Sequence, residues 1–80
     1  MSKQTVFNWK ETGKNQYNCS IGKYRLRAEK SFKGHWWWCV YSNDEYVEAS
    51  WWHEKVATEK KEAFDMAQHA YLEYLKSKND

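Results

Sequence analysis

The sequence contains no proline, only three glycines and few aliphatic side chains. Leucine, isoleucine and valine together number 8 of 80 residues, and the three phenylalanines bring this set to 11. So small a fraction is typical of disordered chains, yet disordered chains are also rich in proline and poor in aromatic residues. This chain has six tryptophans and six tyrosines. We therefore expect a folded domain whose core is largely aromatic.

Long apolar runs are also missing. No stretch approaches the roughly 20 apolar residues of a membrane helix, and charged and amide residues interrupt the first apolar positions, as they would not in a signal peptide. We therefore expect a cytoplasmic protein with no membrane contact. The two cysteines, Cys19 and Cys39, are predicted to be free thiols in a reducing compartment, and Cys39 to be an ordinary exposed one.

Residue patterns that support catalysis are absent from the sequence. His35 and Cys39 do not have the spacing of a zinc site, and the glycines at 13, 22 and 34 form no phosphate-binding loop. No spacing places a nucleophile beside an oriented base. A domain of this size is also expected to have little room for a ligand pocket. The prediction is a protein that is not an enzyme, with no metal and no cofactor.

The net charge of +2 conceals an asymmetry along the chain. Residues 1–40 carry 8 basic and 2 acidic side chains, giving +6, whereas residues 41–80 carry 5 basic and 9 acidic ones, giving −4. One interpretation is a dipolar molecule that turns its basic end towards an anionic partner. The other is that oppositely charged elements simply lie side by side.

Alternating apolar residues predict two β-hairpins. A Gly-X pair at Gly22-Lys23 is typical of a type II′ turn, and Asn43-Asp44 is placed at the second turn. The first hairpin then pairs Ile21 with Tyr24, Cys19 with Leu26 and Tyr17 with Ala28. The second pairs Val40 with Val47, Trp38 with Ala49 and Trp36 with Trp51. Between them, a three-residue loop of residues 32–34 is expected to place Gly34 in the left-handed region.

The spacing of apolar residues becomes helical after residue 58. Thr58 is the expected N-cap, and Glu59 and Glu62 suit the positive end of the helix dipole. A stripe of Phe64, Ala67, Tyr71 and Leu75 predicts the buried face of this helix.

The predicted fold class is α+β: one domain, residues 1–80, in which an antiparallel meander of four to five strands packs on one C-terminal α-helix. Strands are expected at about 5–10, 16–21, 24–30, 35–42 and 45–52, and the helix at about 59–77. The run from Thr5 to Lys10 is the optional edge strand. The aromatic residues assigned to the core are Phe7, Trp9, Tyr17, Tyr24, Trp36, Trp38, Trp51, Phe64 and Tyr71.

Four aromatic residues remain for the outer face of the sheet, together with nearby basic side chains. A face that mixes aromatic rings with arginine is typical of protein-binding hot spots, and this interpretation is favoured. The predicted partner-binding residues are Arg25, Arg27, Trp37, Tyr41, Tyr46 and Trp52. The alternative is nucleic-acid binding by phosphate contacts and base stacking, with Lys23, Arg25, Arg27 and Trp37. Burial of the same face in a homodimer is the third interpretation.

Three segments resemble a group of small phage and prophage accessory proteins. They are Ile21-Gly22-Lys23-Tyr24-Arg25-Leu26-Arg27, Gly34-His35-Trp36-Trp37-Trp38-Cys39-Val40 and Lys61-Glu62-Ala63-Phe64-Asp65-Met66-Ala67. The resemblance covers roughly residues 20–70 and implies an accessory phage gene product rather than a mechanism; with the aromatic face, it makes a small binding module that docks on a host or phage protein the favoured hypothesis. A fainter similarity links the chain to DNA-binding domains with three strands and a helix, in tyrosine recombinases and plant transcription factors. Glu45 and Glu48 on the corresponding strand count against that function, because they would face phosphates.

Overall fold

The computed structural model describes residues 6–31, 33–52 and 57–78. Five antiparallel strands form one sheet in the order β1-β2-β3-β4-β5, and a single long helix packs on one face, so the predicted α+β fold is confirmed. The elements are β1 (Lys10–Gly13), β2 (Gln16–Ile21), β3 (Tyr24–Lys30), β4 (Trp36–Ser42), β5 (Glu45–Ala49), a short 3₁₀ turn (Ser50–Trp52) and α1 (Lys60–Lys78).

The β2–β3 hairpin has the predicted register. Its pairs include Ile21 with Tyr24, Cys19 with Leu26 and Tyr17 with Ala28. Gly22 has a φ of +59°, which is the positive value that the first central residue of a type II′ turn requires. In the next connection Gly34 has a φ of +86°, in the left-handed region, as expected. Phe32 in the same loop lies outside the described residues.

The register of β4 with β5 differs from the prediction beyond the turn. Tyr41 pairs with Tyr46 as expected, but Val40 pairs with Glu48 and Cys39 with Ala49, so Val47 is an additional residue on β5. Such a β-bulge shifts every later pair by one position. The predicted pairs of Val40 with Val47, Trp38 with Ala49 and Trp36 with Trp51 are therefore wrong.

Strand β5 ends at Ala49 rather than near residue 52. The hydroxyl of Ser50 accepts a hydrogen bond of 3.1 Å from the Trp38 backbone N–H. This side-chain oxygen takes the place of the backbone carbonyl that a longer β5 would offer to β4. The chain then turns away from the sheet, and Trp36 bridges Ala57 instead.

The first strand that the structure describes is β1 at Lys10–Gly13, whereas the sequence predicted a strand at 5–10. Residues 6–9 belong to no strand, and Thr5 lies outside the described residues. Phe7 and Trp9 alternate as in a strand, but they pack on the helix instead: Phe7 lies edge-on to Tyr71, and Trp9 stacks on Phe64 with ring centroids 4.1 Å apart.

Helix α1 covers the inner face of the sheet. At its start, both the backbone N–H and the hydroxyl of Thr58 donate hydrogen bonds to the Glu62 carboxylate, which suits the positive end of the helix dipole. Small residues on the helix allow close approach to the sheet. The buried core consists of Cys19, Tyr24, Leu26, Ala28, Trp36, Trp38, Val40, Ala57, Ala63, Ala67, Ala70 and Tyr71.

Candidate binding surfaces

The outer face of the sheet, opposite the helix, carries both basic and aromatic residues. Side chains of a strand alternate between the two faces, and Leu26 and Val40 point inward to the core. Arg25 and Arg27 on β3 therefore point outward, where they lie opposite Tyr41 and Cys39 of β4. The sequence predicted this placement correctly, since it depends only on alternation.

Four aromatic rings form a continuous cluster on this face, which we call the aromatic patch: Trp37, Tyr41, Tyr46 and Trp51. Tyr41 and Tyr46 are a cross-strand pair with ring centroids 4.7 Å apart, and their hydroxyl groups are hydrogen-bonded at 3.3 Å. Trp51 lies edge-on to Tyr46 at 5.4 Å and to Trp37 at 5.6 Å. Trp51 is 53% exposed and Tyr46 is 48% exposed, so the patch combines fixed geometry with a large accessible apolar area.

Two arginines border the patch and contact its rings. The Arg25 guanidinium lies 5.0 Å from the centre of the Tyr41 ring, and that of Arg27 lies 5.6 Å from the Trp37 ring. These distances are in the range of cation–π interactions. Arg27 also forms an ion pair with Glu29 at 3.0 Å. The Arg27 guanidinium is therefore held against the sheet surface, whereas Arg25 is exposed and contacts the Tyr41 ring.

Cys39 lies beneath this patch and is fully buried, so the prediction of an exposed thiol is wrong. Its neighbours on the outer face, Arg27 and Ala49 across the strands and Trp37 and Tyr41 along β4, cover it. Burial raises the pKa of the Cys39 thiol, although the Tyr41 hydroxyl and the nearby arginines act in the opposite direction. Burial also raises the pKa of Tyr41 well above its usual range, and hydrogen bonds to Tyr46 and Cys39 add to the effect.

The structure brings together five of the six predicted partner-binding residues and adds Trp51. Trp52, the sixth, is 53% exposed in the turn that follows β5. Trp51 was assigned to the core because the bulge at Val47 is not visible in the alternation. The adjacent pair Trp51-Trp52 could have indicated an exposed tryptophan, since two successive residues of a strand cannot both face inward.

Lys23, a predicted nucleic-acid contact, lies in the β2–β3 turn. Its amino group is 5.5 Å from the Tyr24 ring. A small hollow of about 160 Å³ near this turn is lined by Lys23 together with Ser20, Gly22, Tyr24, Arg25, Tyr41, Asn43 and Asp44. Lys23 and Arg25 therefore share one end of the outer face, while Arg27 and Trp37 lie further along the strands.

A second surface feature lies on the helix side of the sheet and was not predicted from the sequence. It is a groove of about 400 Å³ with mostly apolar walls, lined by Trp38, Glu48, Asp65, Met66, His69, Ala70 and Glu73. A volume of this size is within the range of ligand sites, so the expectation that the domain has little room for a pocket is wrong.

Groups of three or more metal-ligating side chains do not occur among the described residues. Within the same ranges, no helix is long and apolar enough to cross a membrane. Comparison with family models, curated proteins and solved structures finds no match to this chain. The case for function therefore depends on the two surfaces.

Proposed function

We propose that this chain is a small, non-catalytic binding module of the phage accessory type, acting in the cytoplasm, that docks on a host or phage protein through the aromatic patch and its two arginines. The observation that carries the proposal is the cluster of Trp37, Tyr41, Tyr46 and Trp51, whose rings are fixed by mutual contacts while Tyr46 and Trp51 stay about half exposed. Tryptophan, tyrosine and arginine are the residues most enriched among binding hot spots.

Fixed geometry favours tight binding to a protein. Association costs about 0.5–1.5 kcal/mol for each flexible side chain that must become ordered. In the patch, ring contacts and the hydrogen bond between Tyr41 and Tyr46 already restrict the side chains. A partner surface that covers these rings would therefore gain the hydrophobic free energy with little loss of side-chain entropy.

The arginines favour a protein partner over a nucleic acid. Phosphate binding requires cationic groups that project towards the ligand, but Arg27 is paired with Glu29, and both guanidinium groups lie over rings of the patch. Base stacking requires an open ring face. Trp37 is only partly exposed and contacts both Trp51 and Arg27.

The test is quantitative affinity capture from host lysate, with the partner identified and its affinity then measured with purified protein. Trp51→Ala is expected to weaken binding by at least about 2 kcal/mol, roughly 30-fold, as for a hot-spot residue. Leu72→Ala is the matched control, because Leu72 is a large apolar residue that is 44% exposed on the helix. This variant should bind like the wild type. Equal binding by both variants would contradict the proposal.

Titration with mixed-sequence oligonucleotides distinguishes the alternative. A nucleic-acid interface that uses Lys23, Arg25, Arg27 and Trp37 would bind with an affinity that falls steeply with salt concentration. We expect no saturable change in tryptophan fluorescence at low salt. Saturable binding that is lost in an Arg25→Gln/Arg27→Gln variant would replace the protein-docking proposal.

A further inference from the structure

The groove on the helix side is a second candidate binding surface, distinct from the aromatic patch. Trp38 of β4, Met66 and Ala70 of α1 contribute its apolar walls. Because side chains alternate along β4, Trp38 faces the helix while Trp37 and Tyr41 face outward. The two surfaces therefore lie on opposite sides of the sheet, and a ligand in the groove would not contact the patch.

The groove carries negative charge along the part of its lining that the structure describes. Its lining includes three carboxylates, Glu48, Asp65 and Glu73, and neither lysine nor arginine is among the lining residues that the structure describes. The side chain of Glu73 is 60% exposed, and its carboxylate lies 3.9 Å from the Nε2 atom of His69. This arrangement, with apolar walls and acidic edges, complements a ligand that presents apolar groups and positive charges on the same side.

The groove also extends to β5. Strand β5 is the last strand in the sheet order of the described residues, and Glu48 of this strand lines the groove. An exposed strand edge can pair with an extended peptide. Alternate side chains of such a peptide would point to the helix side, where the groove lies.

From these features we propose that the groove binds an extended segment of a partner protein in which every second residue faces the groove and these groove-facing residues are in turn apolar and basic, lysine or arginine. Apolar side chains would contact Trp38, Met66 and Ala70, while the cationic groups would approach Asp65 and Glu73. This inference does not depend on the proposed function, because it concerns the opposite side of the sheet.

The experiment measures peptide binding by NMR on the full chain. The probe is the capped heptapeptide Leu-Ser-Lys-Ser-Leu-Ser-Lys, which as a strand presents leucine and lysine on the same face, and the control peptide has glutamate in place of lysine. We expect the lysine peptide to give saturable shifts at the Met66 methyl group and at amides of β5, and the glutamate peptide to give none. Shifts confined to the aromatic patch, or equal shifts with both peptides, would overturn the proposal.

Charge variants make the test independent of folding, because Asp65 and Glu73 are exposed on the helix. The double variant Asp65→Asn/Glu73→Gln should lower the affinity for the lysine peptide roughly tenfold. The double variant Asp65→Lys/Glu73→Lys should bind the glutamate peptide more tightly than the lysine peptide. The matched control, Glu11→Gln/Glu59→Gln, removes two negative charges from exposed positions that do not line the groove and should bind like the wild type. Equal weakening in the control would show a non-specific charge effect and refute the proposal.

Discussion

At the scale of single residues, the burial of Cys39 depends on its neighbours rather than on its own strand position. Alternation places it on the outer face, where the sequence predicts an exposed thiol. Cys39 is nevertheless buried, with Arg27 opposite it on β3 and the Tyr41 hydroxyl in contact with its thiol. The outer face is therefore a second packed surface, and its aromatic residues already contact one another before any partner binds.

The thiol chemistry follows from this burial. Thiolate is the reactive form of cysteine, and burial raises the pKa of both Cys19 and Cys39. We expect both thiols to react with a disulfide reagent at pH 8 at least about a hundredfold more slowly in the folded protein than in urea, because reaction requires local opening. Mass spectrometry of the labelled peptides would report each site separately.

Variants of Tyr41 test whether its side chain shields the Cys39 thiol from reagents. Tyr41→Ala should accelerate the labelling of Cys39 but not that of Cys19, which lies on the inner face. Tyr41→Phe keeps the ring and should preserve protection. If Cys39 reacts in the wild type as fast as in the unfolded chain, the side chains of the outer face do not pack over it.

At the scale of elements, the bulge at Val47 determines which tryptophans reach the surface. The two-residue turn at Asn43-Asp44 sets the pairing of Tyr41 with Tyr46, as predicted, and the extra residue then changes the register. Trp51 consequently reaches the outer face instead of opposing Trp36. Bulges often occur where a strand redirects a side chain, and here the redirected side chain, that of Trp51, completes the aromatic patch.

The same turn gives an element-scale prediction. Asn43 and Asp44 have φ values of 52° and 70°, so both central residues are in the left-handed region, as in a type I′ turn. Since glycine is the preferred second residue of such turns, Asp44→Gly should raise the free energy of unfolding by about 0.5–1 kcal/mol. Urea unfolding followed by tryptophan fluorescence measures the change.

Gly22→Ala provides the opposite test in the first hairpin. Gly22 has a positive φ of 59° and open space around its Cα, so an added methyl group meets no neighbour and only backbone strain changes. The variant should lose about 1 kcal/mol of stability.

The two variants are therefore expected to change stability in opposite directions. If Asp44→Gly is less stable than the wild type, the turn geometry at Asn43-Asp44 is contradicted.

At the scale of the whole molecule, the segment before β1 closes one side of the core. The Trp9 ring stacks on Phe64, and its indole N–H donates a 2.8 Å hydrogen bond to the Gln68 side chain, 59 residues away in the chain. Together with Phe7 against Tyr71, these contacts fix the helix along its length. On the other side of the helix, Met66 and Ala70 border the acidic groove instead.

Trp9 should therefore contribute strongly to global stability. Trp9→Ala is expected to lower the free energy of unfolding by about 2–3 kcal/mol, somewhat less than for a fully buried tryptophan. Trp9→Phe, which keeps a ring but removes the hydrogen-bond donor, should cost about 1 kcal/mol. Val6→Ala is the control, because Val6 is 72% exposed. Equal loss in Val6→Ala and Trp9→Ala would show that the segment does not pack on the helix as described.

The charge asymmetry along the chain has a tertiary counterpart. Basic residues of the first half, such as Arg25 and Arg27, lie on the outer face, whereas the acidic residues Asp65 and Glu73 of the second half lie beside the groove. These two arginines and these two carboxylates therefore lie on opposite sides of the sheet. Each surface then suits a partner of different charge.

Local patterns in the sequence determined most of the elements of this protein and the two faces of its first hairpin. Strand alternation, helical spacing and turn residues are short-range properties, and they correctly predict β2, β3, β4, α1 and the outward position of Arg25 and Arg27. They also correctly predict positive φ at Gly22 and Gly34, where a short loop requires it.

Only the tertiary structure decided which aromatic residues form the core and which form the patch. The bulge at Val47, the Ser50 hydrogen bond to Trp38 and the bridge from Trp36 to Ala57 arise from competition among partners distant in the chain. No local pattern encodes the outcome of that competition, because the alternation of apolar and polar residues is the same whichever of these pairings forms. The exposure of Trp51, the burial of Cys39 and the acidic groove all depend on it.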